Sequence, residues 1–338
     1  MARKGGWRRA GSRGRFRYFD SRGRQITDET KLARVEALVI PPAWRDVWIS
    51  PSPTAKLQAT GIDAAGRRQY LYHPDFRAQQ DAAKFDKLIR LAERLPDLRV
   101  AMSEHMDRDS LDRERVSAIA LRLIDLGWFR VGSERYARES RTYGITTLTK
   151  RHVRVRGHRI AVNFRGKNRI QVRTTLVDAE LADAMKELLA LGGGRRLFRY
   201  EWEGELYNLT SARLNDYIGV YLGDDFTAKD FRTWGGTLTA AIALAERGVV
   251  ETETEAKRVI AAVMRIVGER LGNTPAVARA SYVSPAVIDQ YLDGRTIEDF
   301  RPRHLRVVGA RDMGLDLEEQ ALLSLLRSWR IRQSRAAA

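Results

Sequence analysis

The spacing of apolar residues changes period between Asp75 and Asp81, so the chain must hold two structural regimes. Upstream, Phe16 and Tyr18 alternate with arginines, Asp20-Ser21-Arg22-Gly23 supplies turn residues, and Gln25-Ile26-Thr27 follows, which predicts strand, turn, strand. A short helix is predicted after Asp28, with Leu32, Val35, Leu38 and Val39 on one face and a stop at Pro41-Pro42. Val47-Trp48-Ile49 reads as a strand. Leu57 to Ile62 and Arg67 to His73 read as a hairpin across Asp63-Ala64-Ala65-Gly66.

Downstream the pattern turns helical, as in Val116, Ile119, Ala120, Leu123 and Ile124, and again in Val259, Ile260, Val263, Ile266 and Val267. Between these runs lies one β island. Its predicted strands are Thr146 to Leu148, His152 to Arg156, Arg159 to Phe164 and Ile170 to Arg173, with turns at Gly157-His158 and Gly166-Lys167-Asn168. The expected class is α+β in two domains. Residues 1–78 form a small, mainly β domain, and residues 79–338 a larger, mainly helical one with a small β-sheet insertion. The first dozen residues and the tail Arg332 to Ala338 are expected to be mobile.

Charge narrows the partners. The 338 residues carry 60 Lys+Arg against 43 Asp+Glu, for +17, and residues 1–24 hold nine basic side chains against Asp20 alone. That balance points to a polyanion, most often nucleic acid, with binding that weakens steeply in salt. Hydrophobic content of 43% is enough for a sizeable core. No apolar run reaches the roughly 18 residues of a membrane span, and no secretory signal is legible. Without cysteine there is no thiol chemistry, and a cytoplasmic, nucleoid-associated location is expected.

Several familiar site patterns fail. Ala161 to Lys167 ends in Gly-Lys but lacks the first glycine of a phosphate-binding loop, and Asn168 stands where Ser or Thr is needed. Asp107, Asp109 and Asp112 could form a cation site, but they stand where a helix begins, and capping accounts for acids there. Histidines 73, 105, 152, 158 and 304 show no metal-ligand spacing. No cofactor, nucleotide or metal is expected.

Four separated segments carry chemistry together. They are Phe129 to Tyr136 (Phe-Arg-Val-Gly-Ser-Glu-Arg-Tyr), Phe164-Arg165-Gly166-Lys167, Lys229-Asp230-Phe231-Arg232-Thr233-Trp234-Gly235, and Leu271-Gly272-Asn273-Thr274-Pro275 running to Ser281-Tyr282-Val283. Jointly they resemble the type IB DNA topoisomerases of the bacterial and poxvirus kind. The stretch with Gly61, Asp63, Gly66, Arg67, Gln69, Tyr70 and Tyr72 extends the resemblance into the first domain.

The resemblance implies relaxation of supercoiled duplex DNA through a 3′-phosphotyrosyl intermediate, without ATP or metal. Tyr282 would be the nucleophile. Its own context agrees, because Thr274-Pro275 and Ser284-Pro285 each start a helix and leave Tyr282 at the break between them, where a side chain can face a ligand. Arg130 and Arg232 would clamp the non-bridging oxygens with planar, always-charged forks. Lys167 would protonate the 5′-leaving oxygen, since arginine is a poor donor and lysine is tunable. Lysine is scarce here, only ten of the 60 basic residues, so its place in a tight turn carries weight; an exposed hairpin-tip lysine is the plain alternative. Lys229 would support phosphate binding. Asn273 stands where the poxvirus pattern has histidine and bacterial-type members have asparagine; it would contact a phosphate oxygen in the transition state, since an amide can donate a hydrogen bond but cannot ionise, and a turn or cap residue is its alternative.

For DNA binding, the resemblance puts Arg67, Gln69, Tyr70 and Tyr72 against bases and backbone in the major groove, and Tyr136 against a phosphate. Alternation points Tyr70 and Tyr72 together and Leu71 to the core; an aromatic packing pair is the alternative. The expected molecule is a monomeric clamp of two lobes on double-stranded DNA. A tyrosine recombinase shares the chemistry but usually shows His-x-x-Arg where this chain has Lys229. A non-catalytic DNA-binding protein is the rival from another class.

Overall fold

In the basic N-terminal stretch Trp7 is the first aromatic side chain, and it is buried in the sheet. The computed structural model describes residues 5–12, 14–301 and 314–336, so Arg3, Lys4, Arg13 and His304 lie outside the described residues. The chain divides into two units, Met1–Lys84 and Phe85–Ala338.

The first unit is a five-stranded antiparallel sheet with one helix. Its elements are β1 (Trp7–Ala10), β2 (Arg17–Phe19), α1 (Glu29–Ala37), β3 (Arg45–Ile49), β4 (Leu57–Ile62) and β5 (Arg68–Tyr72), in sheet order β2-β1-β3-β4-β5. Trp7, Ile26, Val35, Val47, Ile49 and Ala59 form its core. Asp28 caps α1 by accepting from the Lys31 amide at 2.9 Å, as the helix-start pattern predicts. Arg34 fastens α1 to the sheet, donating to the Ser50 carbonyl at 2.8 Å and to Gln58 Oε1 at 2.7 Å.

The expectation of a mobile first dozen fails for the described part. β1 lies inside the sheet because Trp7 is buried and pairs with Ile49 of β3. Arg9 donates to the carbonyls of Ile40, Pro41 and Trp44 and covers the Phe16 ring at 4.2 Å. Burial lowers its pKa from the usual arginine value, against a smaller opposing effect of Tyr18. Part of the N-terminal charge is therefore structural.

Helix α2 (Pro74–Met106) begins in the first unit and continues into the second. The second unit then runs α3 (Arg113–Gly127), α4 (Glu134–Glu139), β6 (Val153–Arg156), β7 (Arg159–Arg165), β8 (Gln171–Val177), α5 (Ala179–Ala190), β9 (Arg199–Trp202), β10 (Glu205–Asn208), α6 (Ser211–Leu222), α7 (Ala228–Arg247), α8 (Glu253–Leu271), α9 (Pro275–Tyr282), α10 (Pro285–Leu292) and α11 (Leu317–Ala336). The protein is α+β, with a mainly β first unit and a mainly helical second unit that carries small sheets, as the periodicities predict. β6, β7 and β8 form a three-stranded antiparallel sheet in which Ile160, Val162 and Phe164 point inward while Arg159, Asn163 and Arg165 face out.

α7 is the central helix. It is buried around most of its circumference and packs against α3, α6, α8, α9, α10 and α11. Asp230 caps it by accepting from the Thr227 amide at 2.8 Å, and Lys87 of α2 pairs with the same carboxylate at 3.0 Å. Asp112 accepts from the Arg115 amide at 2.8 Å, the capping role expected for it. Among the described residues no helix is long and apolar enough to cross a membrane.

Three sequence expectations need correction here. Thr146 to Leu148 is not a strand; Ile145–Thr147 forms a single 3-10 turn, because Thr147 Oγ1 accepts from the Gly144 amide at 2.9 Å and closes the backbone on itself. The β island also has company, since β9 and β10 form a hairpin across Glu203-Gly204, whose φ values of 51° and 80° suit a tight turn. The tail from Arg332 is helical as far as Ala336 and is anchored by Arg332, whose Nη2 pairs with Asp293 at 2.8 Å.

A buried ionic network secures α11. Arg99 of α2 pairs with Asp125 at 2.9 Å and Glu319 at 2.7 Å, and the Trp234 indole of α7 donates to Glu319 at 2.9 Å. Removing Arg99 strands two buried carboxylates. Arg99→Met is expected to destabilise the protein by about 3–5 kcal/mol, read from denaturant midpoints. Burial pushes the Glu319 pKa up, but Arg99 and Trp234 outweigh it and hold it below the ordinary glutamate value. Its stabilising contribution is therefore complete above that value and is lost as pH falls below it, so Glu319→Gln is expected to flatten the acid limb of the stability curve. An unchanged limb would contradict the network.

Candidate active site

The Arg130 guanidinium is placed by backbone pairing. α3 ends at Trp128, whose φ of 51° turns the chain sharply. The next residues are then pinned: Arg130 O accepts from the Ile145 amide at 2.9 Å, and Val131 O from the Thr146 amide at 2.8 Å. Gly132 follows with φ 106°, and a Cβ there would stand 2.9 Å from Thr147 Oγ1, so this crossing admits only glycine. The Arg130 side chain extends toward the C-terminal end of α8. Its Nη1 donates to Leu271 O at 3.2 Å and its Nη2 to Asn273 Oδ1 at 2.6 Å.

The second guanidinium comes from α7. Arg232 is buried, 4% exposed, and its Nη2 donates to the same Leu271 carbonyl at 2.8 Å while Nη1 donates to Trp128 O at 2.5 Å. Its Nε is buried and has no hydrogen-bond partner among the described residues. Two like charges thus converge on one helix-terminal carbonyl, where the unpaired C=O groups carry partial negative charge. Burial first, and then the charge of Arg130, bring the Arg232 pKa down to about 10.

Tyr282 lies under Arg232. The guanidinium carbon sits 5.0 Å from the ring centroid. As the two helix-start signals predict, Tyr282 lies at the break between helices: it is the last residue of α9, with Val283 as the C-cap and Ser284 capping α10, and it is 9% exposed. The coverage comes from Arg232, which stacks on the ring. Burial pushes the phenol pKa up, but the charges of Arg232, Arg130 and Lys229 and hydrogen bonding with Arg232 outweigh it and hold the phenol below the ordinary tyrosine value.

Two features that the sequence reading missed set this position. Gly236 faces Tyr282 so closely that a Cβ would meet the Tyr282 carbonyl oxygen at 2.7 Å, and a Cβ on Gly235 would run into the Trp128 ring at 2.1 Å. Thr237 Oγ1 donates to Tyr282 O at 3.2 Å and accepts from the Ser284 amide at 3.1 Å, closing the junction between α9 and α10. The Gly235-Gly236-Thr237 run, which begins at the last residue of the Lys229–Gly235 box, was the available signal.

The other expected residues fall in different surroundings. Lys167 is exposed in a 3-10 turn between β7 and β8, where Asn168 takes φ 59°. It lines a cleft of about 410 Å³ together with Arg130 and Arg232. Lys229 is exposed in the first turn of α7, near enough for its charge to act on Tyr282. Asn273 presents its carbonyl oxygen to Arg130, and its Nδ2 lies 3.4 Å from Leu271 O, so it orients Arg130. Tyr136 is 42% exposed on α4. Among the described residues no His, Asp and Glu side chains group in a way that could hold a metal ion.

In the first unit, Asp63 organises the β4–β5 hairpin. Its carboxylate accepts from the Ala65 and Arg67 amides at 2.9 Å, pairs with the Arg67 guanidinium at 2.8 Å, and accepts from Gln69 Nε2 at 2.8 Å. These bonds, the Arg67 amide first, bring its pKa down to about 2. Tyr70 and Tyr72 share the outer face and stack at 6.3 Å, 48% and 42% exposed, while Leu71 packs against the core.

The chain matches known proteins over most of its length. A family model of the catalytic core of eukaryotic DNA topoisomerase I matches residues 73–298, and one of the N-terminal domain of bacterial DNA topoisomerase IB matches residues 15–63. The chain is 32% identical over 284 residues to the DNA topoisomerase 1B of Acanthamoeba polyphaga mimivirus, covering 82% of this chain and 84% of that relative. It is 22% identical over 241 residues to the DNA topoisomerase 1B of Vaccinia virus (strain Copenhagen), covering 70% and 73% respectively. It is also 24% identical over 244 residues to the DNA topoisomerase 1 of Rabbit fibroma virus (strain Kasza), covering 70% and 72%.

The convergence of charge on Tyr282 has a measurable consequence. In protein labelled with 13C at the tyrosine ζ carbon, the Tyr282 resonance is expected to titrate below the ordinary value of about 10. In Arg232→Gln it is expected to titrate above that value, because burial then acts with less opposition. Equal titration in the two proteins would contradict the electrostatic reading.

Proposed function

The chain belongs to the type IB DNA topoisomerases, and on that footing we propose how its residues relax supercoiled duplex DNA. The Tyr282 hydroxyl attacks a phosphodiester of one strand. A bond forms between its oxygen and phosphorus, the bond to the 5′-oxygen breaks, and the DNA keeps a 3′-phosphotyrosyl link. The phenolic proton leaves to solvent, eased by the surrounding positive charge. Arg130 and Arg232 donate to the non-bridging oxygens as charge grows in the transition state. Lys167 gives its proton to the 5′-oxygen. The duplex swivels about the intact strand, and the 5′-hydroxyl then attacks the phosphotyrosine and restores the original bond.

The observation that carries this reading is the shared Leu271 carbonyl. Arg130 and Arg232 both donate to that one oxygen beside Tyr282, so two forks already converge on a single acceptor. A phosphate oxygen offers the same geometry with a full charge, and the unpartnered Arg232 Nε adds a further donor. Asn273 holds Arg130 in line and takes no part in proton transfer. Lys229 supports the phosphate from the start of α7. Tyr136, together with Arg67, Gln69, Tyr70 and Tyr72 of the β4–β5 hairpin, contacts DNA away from the reacting bond.

The reaction exchanges one phosphodiester for another of similar energy, so it consumes neither ATP nor metal. All the proposed catalytic groups come from one chain, so a monomer suffices.

Wild type is expected to relax plasmid in excess EDTA without nucleotide, and Tyr282→Phe to be inactive. A magnesium or ATP requirement, or normal relaxation by the phenylalanine variant, would overturn the mechanism. Lys167→Ala is expected to slow single-turnover cleavage by roughly 10²–10⁴-fold, the usual contribution of a general acid. A 5′-phosphorothiolate substrate, whose thiolate leaving group needs no proton, is expected to restore the rate; no rescue would remove Lys167 from that role.

A further inference from the structure

The catalytic unit carries a second basic cleft, of about 610 Å³, that the mechanism above does not use. It is lined by Arg138, Lys150, Arg151, Arg195 and Arg196, with Tyr143 on one wall and no carboxylate among its lining residues. Two loops bring these cations together. Thr149 bridges to Arg196, and the Lys150 amide donates to Arg195 O at 3.1 Å, which sets the two pairs of basic residues side by side. Arg138 reaches the cleft from α4.

Most of this charge is not neutralised by the protein. Lys150 donates to the Leu191 carbonyl and Arg196 pairs with Glu134, but Arg196 Nη1 is buried and has no hydrogen-bond partner among the described residues. Arg138, Arg151 and Arg195 are exposed and have no carboxylate partner among the described residues. Burial first, and then Arg151 and Arg196, bring the pKa of neighbouring His152 down to about 4. Guanidinium groups gathered with only one carboxylate, Glu134, among them repel one another, and an anion with several acceptor oxygens relieves that repulsion.

Tyr143 ties this cleft to the catalytic one, because it lines both. Its amide donates to Arg165 O at 2.8 Å and its ring packs on His152 at 4.5 Å, so the dividing wall is fixed. We propose that the cleft of Arg138, Arg151, Arg195 and Arg196 is a second phosphodiester site, holding the backbone of the same DNA away from the bond that reacts. The proposal rests on the topoisomerase reading. It assigns these arginines to grip on the duplex and to its salt sensitivity, outside the transfer step.

The test is the salt dependence of binding by the full chain carrying Tyr282→Phe, with a fluorescein-labelled duplex as probe. Anisotropy titrations between about 50 and 200 mM KCl give the slope of log K against log salt, to which each phosphate contact contributes about 0.9. The triple variant Arg138→Gln, Arg151→Gln, Arg195→Gln is expected to lower that slope by about 2 or more. A matched variant with Arg258→Gln, Arg265→Gln and Arg330→Gln is expected to change it by less than about 1. An unchanged slope in the first variant, or an equal fall in both, would overturn the proposal. Thermal unfolding checks the fold: relief of repulsion is expected to leave the melting temperature of the first variant at or above its parent. A lower value would contradict the crowding on which the proposal stands. Plasmid relaxation by wild type in the same buffers keeps the two claims apart, since its failure would sink the topoisomerase mechanism and an unchanged slope alone would sink only the second site.

Discussion

Two guanidinium groups that share one carbonyl oxygen are the constraint on which this site depends. Arg130 and Arg232 repel each other, and Arg232 is almost wholly buried, so neither would rest there without compensation. The C-terminal carbonyls of α8 supply it, Leu271 O to both and Gly272 O at 3.4 Å to Arg130. Because those carbonyls belong to a helix end, their position is fixed by the whole of α8. The resulting field reaches Tyr282 and holds its phenol below the ordinary tyrosine value despite burial. Fold and chemistry meet at that helix terminus.

The rest of the second unit serves to keep α7, α8 and α9 in register. Gly235 and Gly236 let Trp128 and Tyr282 approach α7 more closely than any side chain would allow. Thr237 then closes the α9–α10 junction through one hydroxyl. On the opposite side Trp234 donates to Glu319, which engages Arg99, so α11 braces the same helix that carries Arg232. The long segment after Tyr282, whose role is not readable from sequence, is thus joined to the site through consecutive residues of α7.

Much of this was legible in the residues. Period-2 and helical spacing announced the two regimes, and Asp28 and Asp112 cap the helices that their positions announced. The separated boxes pointed to Arg130, Arg232, Asn273 and Tyr282, which the fold brings together, and to Lys167, which lines a cleft with Arg130 and Arg232. What stayed hidden depends on tertiary partners. β1 is arginine-rich, and only the pairing of Trp7 with Ile49 and the carbonyls around Arg9 make it part of a sheet. The coverage of Tyr282 follows from a stacked arginine distant in sequence. The role of Leu271 belongs to its backbone, which no side-chain pattern can reveal. The same holds for the second basic cleft, where pairing between residues 149–150 and 195–196 gathers charges that look scattered along the chain.

The most direct test of the central claim is to identify the covalently modified residue. Wild type would be mixed with a duplex bearing a labelled strand, stopped with denaturant, digested with trypsin and examined by mass spectrometry. The expected adduct is a 3′-phosphoryl DNA end on the peptide spanning residues 280–295, with fragmentation placing it on Tyr282. That peptide also contains Tyr291, whose hydroxyl donates to Gly248 O at 2.9 Å as part of the core. An adduct on Tyr291, linkage through a 5′-phosphate, or no adduct under conditions where plasmid is relaxed would contradict the account.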